Sequence, residues 1–255
     1  MKQVNEKVIT VQDCIDMYEK KDMYTVIDGG KVVGFVEKRG ELKMKERNNN
    51  ITVFGLVAEE PVFNHEAFGE KFFRMMISVN RVSGTVDTLP VLISERIADM
   101  KELKAGVCVM ITGRIRSYNE HIGEKSKLIL AIFTENIEIY ENEAEPPFNN
   151  DVVLRGFICK EPIYRVTPLG REITDVLIAV NRAYGKSDYI PCIVWGRTAK
   201  FVGHLPVGTH IEMTGRFQSR PYAKKISEDE IENRVAYEVS VSRIEVIEEK
   251  ENADE

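Results

Sequence analysis

Val79-Asn80-Arg81, followed by Gly84, returns as Val180-Asn181-Arg182, followed by Gly185. The offset is 101 residues, and it holds on both sides of the motif. Upstream, Gly55 matches Gly156, Glu60-Pro61 matches Glu161-Pro162, Val62-Phe63 matches Ile163-Tyr164, and Gly69 matches Gly170. Downstream, Pro90 matches Pro191, while Arg96 and Ala98 match Arg197 and Ala199. One inserted residue moves the offset to 102, where Thr112-Gly113-Arg114 matches Thr214-Gly215-Arg216. Ile137-Glu138 then matches Ile244-Glu245, so the second copy has a longer last hairpin. The chain therefore holds two copies of one unit of about 95 residues, an ordinary domain size.

Each copy reads as all-β. Ile51–Val57 and Val152–Ile158 are apolar or alternating and run into a Glu-Pro break. Phe72–Val79 and Ile173–Val180 are rich in β-branched and aromatic residues, and Leu89–Ile93 and Tyr189–Trp195 follow. Short helices are expected at Arg96–Leu103 and Thr198–Leu205. The turns Leu103-Lys104-Ala105-Gly106 and Leu205-Pro206-Val207-Gly208 lead into Val107–Arg116 and Thr209–Ser219, and the last strands are Leu128–Tyr140 and Ala236–Glu248. Five strands with a short helix between the third and fourth is the order of an OB-fold barrel. The expected fold is all-β: two tandem OB-fold five-stranded barrels, over 50–142 and 150–247.

Residues 1–49 lie outside the repeat. Val11, Cys14, Ile15 and Tyr18 make one helical face, with Thr10 as N-cap and Asp13 three residues on. Tyr24–Ile27 and Lys31–Glu37 flank Asp28-Gly29-Gly30, a hairpin signal. Glu143–Phe148, with Pro146-Pro147, reads as an acidic linker, and Glu248–Glu255 as an acidic disordered tail.

The 255 residues carry 35 basic and 41 acidic side chains, net −6. Such a total argues against a simple basic nucleic-acid binder. The sum hides its parts. Copy two (150–245) has 14 basic and 12 acidic residues, net +2, whereas copy one (50–142) has 10 and 13, net −3. The polar start and the short apolar runs predict no signal peptide and no membrane span, hence a cytoplasmic protein. Cys14, Cys108, Cys159 and Cys192 are dispersed with no CxxC pair, which suits reduced thiols. His65, His121, His204 and His210 have no partner at metal-ligand spacing, so neither cofactor nor metal is expected. Gly185-Lys186-Ser187 resembles the end of a phosphate-binding loop, but the required first glycine is Val180 and the context is β. No catalytic constellation is recognisable, and an enzyme is not expected.

Ile178–Tyr184, Ile190–Ala199 and Val207-Gly208 with Thr214–Arg220 resemble the bacterial single-stranded DNA-binding protein family. The resemblance is close over 150–220, weaker over 50–140, and does not reach 1–49. It implies base stacking on Tyr184, Tyr189, Trp195 and Tyr222. Nearby Arg155, Arg171, Arg182, Arg197, Lys200, Arg216 and Arg220 are candidates for phosphate contacts. A lone Trp is also often core, so Trp195 has two readings. Copy one has Ser83, Thr88, Ser94 and Glu120 at the four aromatic positions. It reads as a barrel kept for architecture or a partner, with Arg74, Arg81, Arg114, Arg116 and Tyr118 left for weaker contacts.

The expected function is binding of single-stranded DNA in replication, recombination or repair. The alternative is an OB-fold adaptor, primosome-like or phage-related, acting through protein contacts. The resemblance further implies a nucleoid-associated homodimer with four barrels, and replication or repair proteins as partners. The family's hydrophobic tail tip is absent from Glu248–Glu255.

Overall fold

A computed structural model describes residues 23–28, 31–37, 48–122, 125–140, 150–182, 185–225 and 231–247. The expected helix at Val11–Lys21, the linker and the acidic tail lie outside these residues.

Residues 1–46 form one compact unit and 47–255 another. In the first, β1 (Met23–Asp28) and β2 (Lys31–Glu37) pair antiparallel, with Asp28 opposite Lys31, the register of a two-residue loop.

The second unit holds both repeats. Copy one consists of β3 (Asn49–Ala67), β4 (Glu70–Asn80), β5 (Val86–Ser94), β6 (Cys108–Ile122) and β7 (Lys125–Tyr140). β3 pairs with β4, β4 with β5, β6 with β7 and β6 with β3, all antiparallel, and a short parallel β5–β7 pairing closes the barrel. Copy two repeats this with β8 (Asn150–Ile158), β9 (Ile163–Val166), β10 (Glu172–Asn181), β11 (Ser187–Trp195), β12 (His210–Lys225) and β13 (Ile231–Val246). Its closure is the parallel β11–β13 pairing. Both are five-stranded OB-fold barrels, and β9 on β10 is the counterpart of the second half of β3 on β4.

Alternation builds the cores. On β8, Val152, Leu154 and Ile158 are buried while their neighbours face out, and on β12 Ile211, Met213 and Phe217 do the same. Thr112/Gly113 and Thr214/Gly215 are bulges where β6 and β12 turn a barrel corner. A Cβ on Gly215 would fall on the Ser240 carbonyl oxygen, and one on Gly113 on that of Phe133, so only glycine permits this approach.

The helix expected in copy two forms as α1 (Arg197–Val202). Its expected counterpart at Arg96–Leu103 is a run of turns instead. There the Asp99 carboxylate accepts the Lys101 amide at 3.0 Å, and Ile97 donates to the Ser94 carbonyl three residues back. Asp99 thus offers the backbone an alternative to helix bonds. The extra length of the second copy's last hairpin sits between β12 and β13, whose 16 residues each nearly match the 15 and 16 of β6 and β7.

The barrels are joined by an antiparallel β3–β8 pairing centred on Ile51 opposite Val152, equivalent residues of the two copies. A pseudo-twofold axis therefore passes between them, and one eleven-stranded sheet runs through both barrels. Each side carries the same polar clasp. The buried Asn49 amide bonds both N–H and C=O of Ile115 (2.9 and 2.7 Å), and Asn150 does the same to Phe217 (3.0 and 2.7 Å).

Candidate nucleic-acid interface

The clasps continue into two buried carboxylates. Asp188, fully buried, accepts from Arg182 of its own copy (Nε at 2.7 Å), and from Arg116 (3.0 Å) and the Ser117 amide (2.6 Å) of the other. Arg182 also donates to the Ser117 carbonyl at 2.8 Å. Asp87, its counterpart, accepts from Arg81 (2.7 and 2.6 Å) and from the amide (2.7 Å) and hydroxyl (3.1 Å) of Ser219. The hydrogen bond to Asp87 holds the Arg81 guanidinium above its ordinary pKa. The repeat itself carried the signal for these locks, because Arg81 and Asp87 recur as Arg182 and Asp188 and Ser117 recurs as Ser219.

Beside this seam, the outer face of copy two opens into a groove of about 810 Å³. Trp195, Arg171, Arg216 and Arg220 line it, and Arg81, Ser83 and Thr85 of copy one complete its rim. Trp195 ends β11, and its Nε1 donates to the Ser240 hydroxyl on β13 at 3.0 Å. This bond fixes one edge of the indole while the residue stays 37% exposed at the groove. Such an indole is neither core nor loose surface. It is a held aromatic surface.

The other sequence-predicted residues divide into three groups. Arg171 and Arg216 are exposed in the groove, and Arg197 and Lys200 are exposed on α1. Among the described residues, none of these four makes a side-chain ion pair. Arg155, Arg182 and Arg220 are each committed to a carboxylate: Glu212 (2.7 Å), Asp188 and Glu238 (3.1 Å). The hydrogen bond to Glu238 holds the Arg220 guanidinium above its ordinary pKa. Tyr189 is exposed on β11 and its amide donates to the Ser117 hydroxyl (2.7 Å), so it stands at the seam. Tyr222 is exposed on β12, with the Arg220 guanidinium 6.0 Å from its ring centroid. Tyr184 lies outside the described residues.

Sequence reasoning gave Arg81 only as a weaker contact of copy one and did not place Ser83 or Thr85 at the site, because all three reach the groove through the pairing of the barrels. Copy one also moves an aromatic. Where copy two has Trp195 on β11 and Ser240 on β13, copy one has Ser94 on β5 and Phe133 on β7. The Phe133 ring lies 5.9 Å from Phe72 and is covered by the Arg116 guanidinium at 5.9 Å. The thiols take no part: Cys192 is buried and Cys159 half-buried, and burial pushes both pKa values up, which keeps them protonated and inert.

Known proteins share this architecture. A single-stranded DNA-binding protein B from Bacillus subtilis strain 168 is 32% identical over 80 residues, covering 29% of this chain and 71% of that one. The chain belongs to the single-strand binding protein family. The family model matches residues 149–247, which are copy two. A single-stranded DNA-binding protein 1 from Staphylococcus aureus strain COL is 39% identical over 80 residues, covering 29% of this chain and 48% of that one. The chain spans about half the length of such curated relatives. The crystal structure of the wild-type single-stranded DNA binding protein from Thermus aquaticus matches with a TM-score of 0.65 at 18% identity, covering 81% of this chain and 96% of that one. At that identity the likeness establishes the fold shared by the two family members.

Proposed function

We propose that this protein binds single-stranded DNA without enzymatic turnover, along the groove of copy two. The observation that carries this reading is the held, partly exposed Trp195, flanked by Arg171 and Arg216 in an open groove on the repeat that the family model matches. Every base has a π-face, so an aromatic in a cationic groove binds strand without reading sequence. Tyr222 and the exposed Arg197 and Lys200 extend the track beyond the groove. Arg155, Arg182 and Arg220 serve the fold, because a phosphate would have to displace a carboxylate to reach them. Replication, recombination or repair is the setting this activity fits.

Titrating oligo-dT into the protein at low salt should quench Trp195 fluorescence. With two to four phosphates neutralised, log K should fall against log salt with a slope of about −1.4 to −2.8. Unchanged fluorescence at saturating oligonucleotide, or a slope near zero, would overturn the reading.

Two barrels per chain give four in a homodimer, the assembly proposed here. Light scattering should then give twice the chain mass of 29.1 kDa, and a mass near one chain would exclude it.

A further inference from the structure

The β3–β4 hairpin of copy one ends differently from its counterpart in copy two. Ala67 pairs with Glu70, so Phe68 and Gly69 form a two-residue loop, with φ of 52° and 72°. Such a loop suits Asn-Gly, and a phenylalanine there holds its backbone in the left-handed region at a cost. Nothing within the barrel offsets that cost, because the Phe68 side chain is fully exposed. At the equivalent turn copy two has Leu169-Gly170, where only the glycine has a positive φ. Val62 and Phe63, 68% and 55% exposed, carry the apolar surface back along the hairpin.

The same barrel has an apolar recess. In copy two, Thr174 on β10 is buried and its hydroxyl donates to the Ala199 carbonyl at 2.6 Å. That bond seats α1 on the barrel, with Ala199 and Val202 fully buried. Copy one has Phe73 in place of Thr174, and its chain from Ala98 to Leu103 is one residue shorter than that from Ala199 to Leu205. Phe73 offers no hydroxyl to seat a helix, and a recess of about 560 Å³ stays open over it. Phe73, Ile97, Ala98 and Met100 line this recess, and all four are only partly buried. Phe63 meets the Phe73 ring edge to face at 6.1 Å, so recess and hairpin form one continuous surface.

We propose that this surface joins two copies of the chain, with Phe68 of each hairpin entering the recess of the other. The inference deepens the homodimer reading and rests on it. Phe68 and Phe73 are five residues apart along one strand direction, about 15 Å, so a hairpin cannot fill its own recess. Across a twofold axis each knob meets a hole, an isologous contact that closes at two copies. Phe68 and Phe63 would bury about 300 Å² per protomer, the apolar centre of an interface that needs about 800 Å² on each side. Charge fits the same pairing. Glu70 is taken up by Ser94 and Arg96. What remains is Glu66 and Lys71 on the hairpin, and Glu95, Asp99 and Lys101 at the rim, so both signs stand on each side. Glu66 and Lys101 are exposed and make no side-chain ion pair among the described residues, which makes them complementary across the axis. The groove residues Arg81, Ser83 and Thr85 follow the opposite end of β4, so both Trp195 grooves stay open in this dimer.

The test is light scattering and sedimentation equilibrium on the full-length chain over a concentration series, with circular dichroism to check the fold. Wild type should have twice the chain mass of 29.1 kDa. Asparagine suits the left-handed loop better than phenylalanine, so Phe68→Asn should fold at least as well. Its dimer should dissociate about a thousandfold more readily, since the loss of an aromatic anchor counts twice across the axis. Met100→Glu places a charge in the recess and should act alike. Mixing these two variants leaves one intact knob and hole, and should give a dimer tighter than either variant forms alone. Glu66→Lys should weaken the dimer about tenfold, and Lys101→Glu in the same chain should restore it. A wild-type mass of one chain at every concentration would overturn both this interface and the homodimer. A wild-type dimer that every variant forms equally well would overturn the interface and leave the homodimer standing. A hairpin that docks on a different protein gives one of these two results.

Discussion

Replacing Asp188 with asparagine should cost about 3–5 kcal/mol of stability, the usual loss when one member of a buried ion pair is removed. The size follows from what the carboxylate holds. It is fully buried and accepts from two arginines and one backbone amide, and Arg116 and Arg182 are only 23% and 27% exposed. An asparagine could still accept from the Ser117 amide. It could not neutralise two guanidinium groups, and its NH₂ would face one of them as a second donor. The matched variant Asp87→Asn should lose less, because Asp87 faces one arginine: Gln218 stands where the other side has Arg116. Urea denaturation followed by circular dichroism would compare the two. A loss below about 1 kcal/mol for Asp188→Asn, or a larger loss for Asp87→Asn, would contradict this account of the seam.

Trp195→Ala should weaken binding of oligo-dT by about 1–3 kcal/mol, the range measured for one lost base stack. At 1.4 kcal/mol per decade that is roughly fivefold to a hundred-and-fiftyfold. The fold should survive, since the residue ends its strand, is 37% exposed, and is anchored by a single side-chain hydrogen bond, to Ser240, among the described residues. Trp195→Phe keeps a ring face and should keep most of the affinity, while losing the hydrogen bond that fixes the edge. Affinity measured by anisotropy with labelled oligonucleotide separates these variants without using tryptophan fluorescence. Wild-type affinity in the alanine variant would mean that the indole only packs against β13.

The barrels were legible because strand order is written in local pattern. Ile173–Val180 and Tyr189–Trp195 have β composition, and the repeat supplies each stretch twice. The helix at Arg96–Leu103 misled because apolar spacing is blind to an aspartate that bonds its own backbone, as Asp99 does. Trp195 and Arg216 were readable as candidate site residues since they sit where a strand ends or faces out. Arg182 illustrates the converse. In the chain it is an arginine beside aromatic positions, and only the structure shows it held by Asp188 and by the Ser117 carbonyl across the seam.

That strand pairing has an evolutionary consequence. When two identical subunits meet across a twofold axis, every substitution is made on both sides at once. Here the two sides are separate stretches of one polypeptide, so each can change alone. Gln218 differs from Arg116, Ser240 from Phe133, and Glu238 from Ala131 without their counterparts having to follow. Covalent duplication thus releases the assembly from its own symmetry, and one barrel can drift toward a new surface while the other keeps the old one.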